Sequence, residues 1–301
     1  MGAPAGRPAG FAFRPLRKPE EYRHAEELQR EALGAEAALA VPAASLKVAH
    51  DHGGLVLGAF ADIYLAGLTA SSLGWDGTTL YQNVHVTVVR PEYQSHHLGF
   101  RLLAFLRDEV LRLGLGEARW AFDPLHRPSA SLSLRRLGAR AEGFLTNYFG
   151  QLADGPQDES DRLTARWPLG DLTVARRLAG ELPSPEDDRR SHASADPLVE
   201  TELGESGLRL PTAIVEPEGE RAHLEIPFDL RSIRTHEPAA LRRWRHASRD
   251  AFRTAFDLGY RVEDLASVSI EHERRSFYLL RRTRDGTTAP ESGPTAGPPP
   301  P

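Results

Sequence analysis

The spacing of apolar side chains changes period several times along the first half of the chain, and each change marks an element. Residues 11–17 alternate as a strand, and 19–33 carry a helical pattern with Pro19 at its first turn and Gly34 at its end. A short helix is predicted over 42–49, followed by the turn His50-Asp51-His52-Gly53-Gly54. Strands over 55–60, 65–73 and 79–89 are joined across Asp62 and across Gly74-Trp75-Asp76-Gly77, which predicts an antiparallel meander. From Leu98 the period is helical. Leu98, Leu102, Phe105, Leu106, Val110 and Leu113 share a face, Arg101, Asp108 and Arg112 lie largely opposite, and Gly114 closes the helix. A strand over 117–122, a helix over 129–137 ended by Gly138 and one or two strands over 140–149 complete the order β-α-(α)-β-β-β-α-β-α-β.

The second half repeats none of this. Residues 153–160 read as a polar loop, 162–169 as a strand, and 172–179 as a helix closed by Gly180. The charged Pro/Ser run over 183–196 is the best linker. Strands near 212–215 and 223–228, a long helix over 238–258 and strands near 268–271 and 277–280 follow, before a tail of disordered composition from 286 to 301. The division is therefore a domain over 11–169, a helix and linker over 170–196, an α+β region over 197–284 and a tail over 285–301. On the long helix Arg242, Arg245, Arg249 and Arg253 form a stripe read as a solvated face or as a site for a carboxylate or a phosphate. Trp244, Phe252 and Phe256 give the same helix too much apolar surface to stand alone, so the region is expected to complete an acceptor pocket or a homodimer interface.

Composition narrows the chemistry. The 301 residues contain no cysteine, which excludes disulfides, thiolate metal sites and a cysteine nucleophile. No Gly-x-Ser-x-Gly element is present either. The net charge of -5 argues against nucleic acid as a partner. No apolar signal core stands near the start, and the weakly charged stretch 53–75 is broken by Asp62, so a cytoplasmic protein without membrane contact is expected. The pairs His96/His97 and His50/His52 lack a third ligand, and no metal is expected.

The informative segment runs from Val84 to Leu103, where a strand passes through the polar turn Arg90-Pro91-Glu92-Tyr93-Gln94-Ser95-His96-His97 straight into a helix. Successive backbone amides and the positive helix end converge there, a geometry suited to a pyrophosphate. The segment resembles the signature of the GNAT superfamily of acyl-CoA-dependent N-acyltransferases, a strand ending Val-x-Pro and then [Gln/Arg]-x-x-Gly-x-[Gly/Ala] opening a helix. Gln94 and Gly99 match, while His97 stands at the first glycine, where a side chain would crowd the phosphates. The motifs Trp120-Ala121-Phe122-Asp123-Pro124-Leu125, Leu137-Gly138-Ala139, Asn147-Tyr148-Phe149-Gly150 and Ser160-Asp161-Arg162-Leu163 are similar to those of a little-characterised subfamily of predicted acetyltransferases. So, further on, are Glu225-Ile226-Pro227, Arg249-Asp250-Ala251-Phe252 and Ser276-Phe277-Tyr278-Leu279-Leu280.

The resemblance implies an α/β (α+β) fold with a mixed, largely antiparallel sheet flanked by helices, and an appended α+β region. It implies acyl-CoA, either acetyl-CoA or succinyl-CoA, as cosubstrate and a small amine, such as an amino acid, as acceptor. Thr87 and the backbone at Val89 would line the thioester, and the segment Gln94, Ser95, His96, His97, Leu98 and Gly99 would hold the pyrophosphate. His85 lies in the polar row Tyr81, Asn83, His85, Thr87 and is read either as the base that deprotonates the amine or as a hydrogen-bonded structural histidine. The tyrosine acid common in GNAT enzymes falls at Leu134, which leaves Tyr148 and Tyr81 as substitutes. Asp123 either orients His85 or the amine, or forms a turn before Pro124. Ser129, with Ser133 one turn later, is a cofactor contact or an N-cap. Two other functions fit the same residues: an acyl-CoA-binding or sensing protein without turnover, and a structural interaction module.

Overall fold

The computed structural model describes residues 10–150, 159–204 and 207–283. The described residues divide into two compact units, 10–120 with 166–180, and 121–150 with 159–165, 181–204 and 207–283. The tail expected over 285–301 and most of the loop expected over 153–160 lie outside the described residues.

The first unit opens with β1 (Ala12–Pro15), α1 (Pro19–Leu33) and α2 (Ala43–Asp51). It continues through β2 (Val56–Ala61), β3 (Tyr64–Trp75) and β4 (Leu80–Val89) to α3 (Leu98–Arg112) and β5 (Glu117–Phe122). The strands are ordered β1-β2-β3-β4-β5, antiparallel throughout except for the parallel pair β4 and β5. The meander therefore stands as its alternation predicts, with Asp62 taking the positive φ of 54° that a tight β2–β3 turn requires. Leu16, Tyr22, Leu28, Leu46, Val56, Phe60 and Leu68 form one core beneath the sheet. Leu98 and Leu102 of α3 pack with Ala59, Ala61, Ala66 and Tyr93 in a second core cluster, so the apolar stripe on α3 fixes where its first turn lies.

After β5 come α4 (Arg127–Ala130), widened into a π-helical turn over Ser131–Arg136, then β6 (Arg140–Leu145), β7 (Arg162–Pro168) and α5 (Leu172–Leu178). They are followed by α6 (Pro185–Ala193), β8 (Asp196–Pro197), β9 (Val199–Leu203), β10 (Arg209–Ile214), β11 (Arg221–Ile226) and α7 (Leu230–His236). The last described elements are α8 (Pro238–Asp257), β12 (Tyr260–Ile270) and β13 (Glu273–Arg282). The second unit orders its sheet β7-β6-β12-β13-β11-β8, with β9 and β10 as a separate hairpin.

Several expectations need correction here. The run read as a linker forms α6, because Ser184 and Asp187 cap each other reciprocally, Pro185 occupies the first helical turn, and Asp188, 5% exposed, accepts from Arg135 at 2.7 Å. The strands expected near 268–271 and 277–280 are the tip and one limb of the long β12–β13 hairpin. Its turn uses Glu271 and His272, both at positive φ, in place of the Asn or Gly that would announce it. The arginine stripe on α8 is a solvated face only in part: Arg242 and Arg253 are exposed, Arg253 donating to Thr146 Oγ1 at 2.8 Å, whereas Arg245 and Arg249 are drawn in by carboxylates of the same unit. The apolar side of α8 is covered within its own unit, where Phe252 packs on Phe144, Phe256 and Tyr278, and Trp244 Nε1 donates to the Arg209 carbonyl at 3.0 Å.

Candidate active site

β4 carries the polar row. Val84 and Val88 are buried and Val86 packs against the same core as Val88, so His85 and Thr87 lie on the other face. The β3–β4 register passes from Ala70↔Val86 to Ser71↔Val84, which leaves His85 as the additional residue of a β-bulge. Bulges re-aim side chains, and here His85 Nε2 shares a hydrogen bond with Ser72 Oγ at 2.8 Å. Although His85 keeps an exposed edge, the atoms packed around its ring lower its pKa below the ordinary imidazole value, so the imidazole is neutral at pH 7. Thr87 shares a hydrogen bond with Thr69 at 2.9 Å. Tyr81 lies under the Arg119 guanidinium, 3.9 Å from the ring centroid, and Arg119 is itself held by Asp76 and Glu117.

After Asn83, β4 parts from its parallel neighbour. The β4–β5 register holds only Gln82↔Ala118 and Asn83↔Arg119 among the described residues, so the strand from Val84 to Val89 runs on without a β5 ladder. At its end the Arg90 amide donates to the Ala66 carbonyl at 2.9 Å and Arg90 Nε to the Leu65 carbonyl at 3.0 Å, which pins the exit of the strand. Pro91–His96 form a short 3₁₀ turn that holds Gln94, Ser95 and His96. Gln94 is exposed and donates weakly to the Val89 carbonyl at 3.4 Å, while the His96 ring lies 5.3 Å from that of Phe11. His97 is left-handed, with φ 55° and ψ 27°.

That conformation explains the glycine of the family pattern. The position needs a positive φ, which glycine adopts without a steric cost and histidine adopts at some cost. The His97 side chain is exposed. The first α3 ladder bond runs from the Arg101 amide to the His97 carbonyl at 3.1 Å, so the amides of Leu98 and Gly99 precede the ladder at the positive end of the helix. Leu98 is fully buried and anchors that turn.

The other candidates belong to the second unit. Asp123 is gripped by Arg245, whose Nη1 and Nη2 donate to Oδ1 and Oδ2 at 2.5 and 2.7 Å, and the Leu125 amide closes the turn on Oδ1 at 2.8 Å. Burial pushes the Asp123 carboxyl up, but the charge and hydrogen bonds of Arg245 outweigh it and hold it below the usual carboxylate range. Ser129 is not an N-cap, because α4 begins at Arg127; its hydroxyl shares a hydrogen bond with His126 Nδ1 at 2.7 Å. Ser133 and Leu134 are buried, and Tyr148 is 53% exposed. Asp161 is fully buried and takes Arg249 and the Asn147 amide, and Tyr278 donates to the Pro124 carbonyl at 2.6 Å.

The histidine pairs have other partners. His50 Nδ1 shares a 2.6 Å hydrogen bond with the Tyr22 hydroxyl, and His52 Nδ1 lies 2.8 Å from the Val48 carbonyl. Ser72, whose hydroxyl reaches His85, escaped the sequence reading, as did the pairing of Arg245 with a residue 122 positions away. Charge spacing on α8 marked Arg245 without identifying its partner.

No family model matches the sequence, and no curated protein matches it. Solved structures do. A protein from Desulfovibrio desulfuricans assigned to the GNAT family of acetyltransferases is similar over 54% of this chain and 100% of its own, with 20% identity and a TM-score of 0.44. The ribosomal-protein-S18-alanine N-acetyltransferase of Escherichia coli is similar over 54% of this chain and 95% of its own, at 18% identity and a TM-score of 0.42. The protein yncA of Salmonella typhimurium, solved with acetyl-CoA, is similar over 54% of this chain and 96% of its own, at 17% identity and a TM-score of 0.43. The element sequence β1-α1-α2-β2-β3-β4-α3-β5-α4-β6 of this chain is the order read from its sequence, a mixed, largely antiparallel α/β arrangement with a further α+β region after it.

Proposed function

We propose that this protein transfers an acyl group from an acyl-CoA thioester to a small amine. The observation that carries the reading is the course of β4: a strand that loses its parallel partner after Asn83, bears a neutral histidine at a bulge, and ends at a left-handed turn whose following amides open a helix. An unladdered strand edge can hydrogen-bond an extended amide chain, and a helix N-terminus favours a pyrophosphate. In this reading Thr87 and the Val89 backbone line the thioester, and the amides from Gln94 to Gly99 hold the pyrophosphate.

The chemistry needs a free amine and a protonated leaving group. Neutral His85 takes a proton from the ammonium acceptor, directly or through water, and the nitrogen lone pair attacks the thioester carbon. The C–S bond then breaks, and the departing thiolate takes a proton from water. Asp123 serves by holding Arg245. The acceptor class is an amino acid or a related small amine, the donor acetyl-CoA or succinyl-CoA. A second reading, acyl-CoA binding without turnover, is favoured by the fully buried Leu134 where the family places its tyrosine acid.

Calorimetric titration with acetyl-CoA tests the site. Gly99→Leu places a bulky side chain against the backbone approach at a surface turn and should weaken binding while the protein stays folded. Unchanged affinity in a folded variant would remove the junction from the site.

A further inference from the structure

Thr69 of β3 and Thr87 of β4 face each other across the register of the two strands, and their hydroxyl oxygens lie 2.9 Å apart. The surroundings decide which of them donates. Thr69 is fully buried, and among the described residues its hydroxyl has no hydrogen-bond partner besides Thr87. Two hydroxyls bonded to each other carry two protons, and only one proton can lie between the oxygens. If Thr87 donated, the Thr69 proton would be a buried donor without an acceptor, which is rare and costly in a folded protein. Thr69 therefore donates to Thr87. The Thr87 O–H is left to point away from Thr69, and because Thr87 is only partly buried, that proton takes its acceptor from outside the chain.

The place of Thr87 gives this proton a use. It stands on the stretch of β4 from Val84 to Val89 that has no β5 ladder among the described residues, on the strand face opposite Val86 and Val88. Both threonines are branched at Cβ and stiff about their first side-chain torsion, so the two hydroxyls hold their direction. A donor aimed in advance in this way needs no reorganisation when negative charge develops in front of it.

We infer that the Thr87 hydroxyl donates to the carbonyl oxygen of the bound thioester, and that Thr69 is the positioning residue that sets this direction. This role rests on the acyl-transfer reading of the same strand. As the amine nitrogen forms its bond to the thioester carbon, the C=O electron pair moves onto the oxygen that Thr87 faces. When the C–S bond breaks, the pair returns to the carbonyl, and the hydroxyl keeps its proton throughout. A hydrogen bond to that oxyanion is stronger than one to the neutral carbonyl, so the contact favours the transition state over the bound thioester.

The test reads the hydrogen bond itself, without turnover, in the full chain. Isotope-edited infrared difference spectra follow the labelled thioester carbonyl of bound acetyl-CoA, and calorimetry compares acetyl-CoA with free CoA, which has no thioester carbonyl. Valine keeps the shape of threonine, so Thr87→Val and Thr69→Val are expected to fold. The expected carbonyl band lies at lower frequency in the wild-type protein than in Thr87→Val. Thr69→Val should move it in the same direction as Thr87→Val, and Thr69→Ser, which keeps the donor, should restore it. Thr87→Val should weaken acetyl-CoA about fivefold, the scale of one net hydrogen bond, with the affinity for free CoA unchanged. A band unmoved by Thr87→Val, or acetyl-CoA and CoA weakened alike, would overturn the role of Thr87. A wild-type band in Thr69→Val, or no restoration in Thr69→Ser, would overturn that of Thr69. In each of these results acetyl-CoA still binds and the acyl-CoA reading stands, whereas a wild-type protein that binds no acetyl-CoA would overturn that reading and this role with it.

Discussion

His85 Nε2 and Ser72 Oγ lie 2.8 Å apart across neighbouring strands, at the bulge where β4 carries one residue more than β3. The contact ties the ring through one nitrogen and leaves Nδ1 for other partners. Ser72→Ala removes the tether, with no change to the strand ladder. The expected result is a fall in kcat of about tenfold, the effect of one lost hydrogen bond, with the acyl-CoA Kd unchanged. Steady-state kinetics and calorimetry check it together, and an unchanged kcat would leave the serine without a part in the reaction.

His97 sits where the backbone needs a positive φ. His97→Gly is expected to stabilise the fold by about 0.5–1 kcal/mol by relieving that conformation, with acyl-CoA affinity kept or improved. His97→Val, branched at Cβ, should lose stability and affinity together. Denaturant unfolding and acetyl-CoA titration of the two variants give the comparison.

Arg245 and Asp123 form a largely buried pair. Arg245→Ala leaves a carboxylate without its cation and should cost about 3–5 kcal/mol, while Asp123→Ala/Arg245→Ala should cost less than the two single changes added. Because the Asp123 carboxyl is held low, its stabilisation is complete above the unfolded carboxylate range and is lost as pH falls through the lower folded value. Urea unfolding of the four proteins near neutral pH and in acid reads both effects.

The periodic parts of this fold were legible in the sequence, and the turns and long-range charges were not. Leu98, Leu102, Leu106 and Val110 announced α3 because a helix repeats its buried face every three or four residues. Glu271 and His272 gave no turn signal, since the tight hairpin loop forces two ordinary residues to positive φ where the sequence offered no glycine. Ser184 was a capping signal overlooked inside a polar run. Of the candidate site, the strand–turn–helix junction could be read from Pro91 and Gly99, because backbone geometry follows from local residues. The bulge at His85 could not, since it depends on pairing with Ala70 and Ser71, and no local pattern in β4 specifies which residue of its partner is skipped.

His223 should make the protein acid-sensitive above the range where carboxylates titrate. Its pKa falls on burial from the ordinary imidazole value of 6.5 to about 4 in the folded chain, so the unfolded chain binds the proton more readily. Stability is therefore complete above about pH 6.5 and declines as pH falls toward 4, by up to about 3 kcal/mol for a ring shielded from water. His223→Phe should flatten the stability–pH profile in that interval. Equal profiles in the two proteins would mean the ring is solvated when folded.

The central claim is acyl transfer assisted by His85, and thiol release tests it most directly. Acetyl-CoA and succinyl-CoA are each offered with a panel of D- and L-amino acids and polyamines, to the wild-type protein and to His85→Gln. The account predicts amine-dependent thiol release by the wild-type protein, with an ascending pH limb below the ordinary imidazole value of 6.5. It predicts that His85→Gln retains acyl-CoA binding, loses that limb and is slower by about 10²-fold. No amine-dependent release from either thioester, or a wild-type rate and pH profile in His85→Gln, would contradict it.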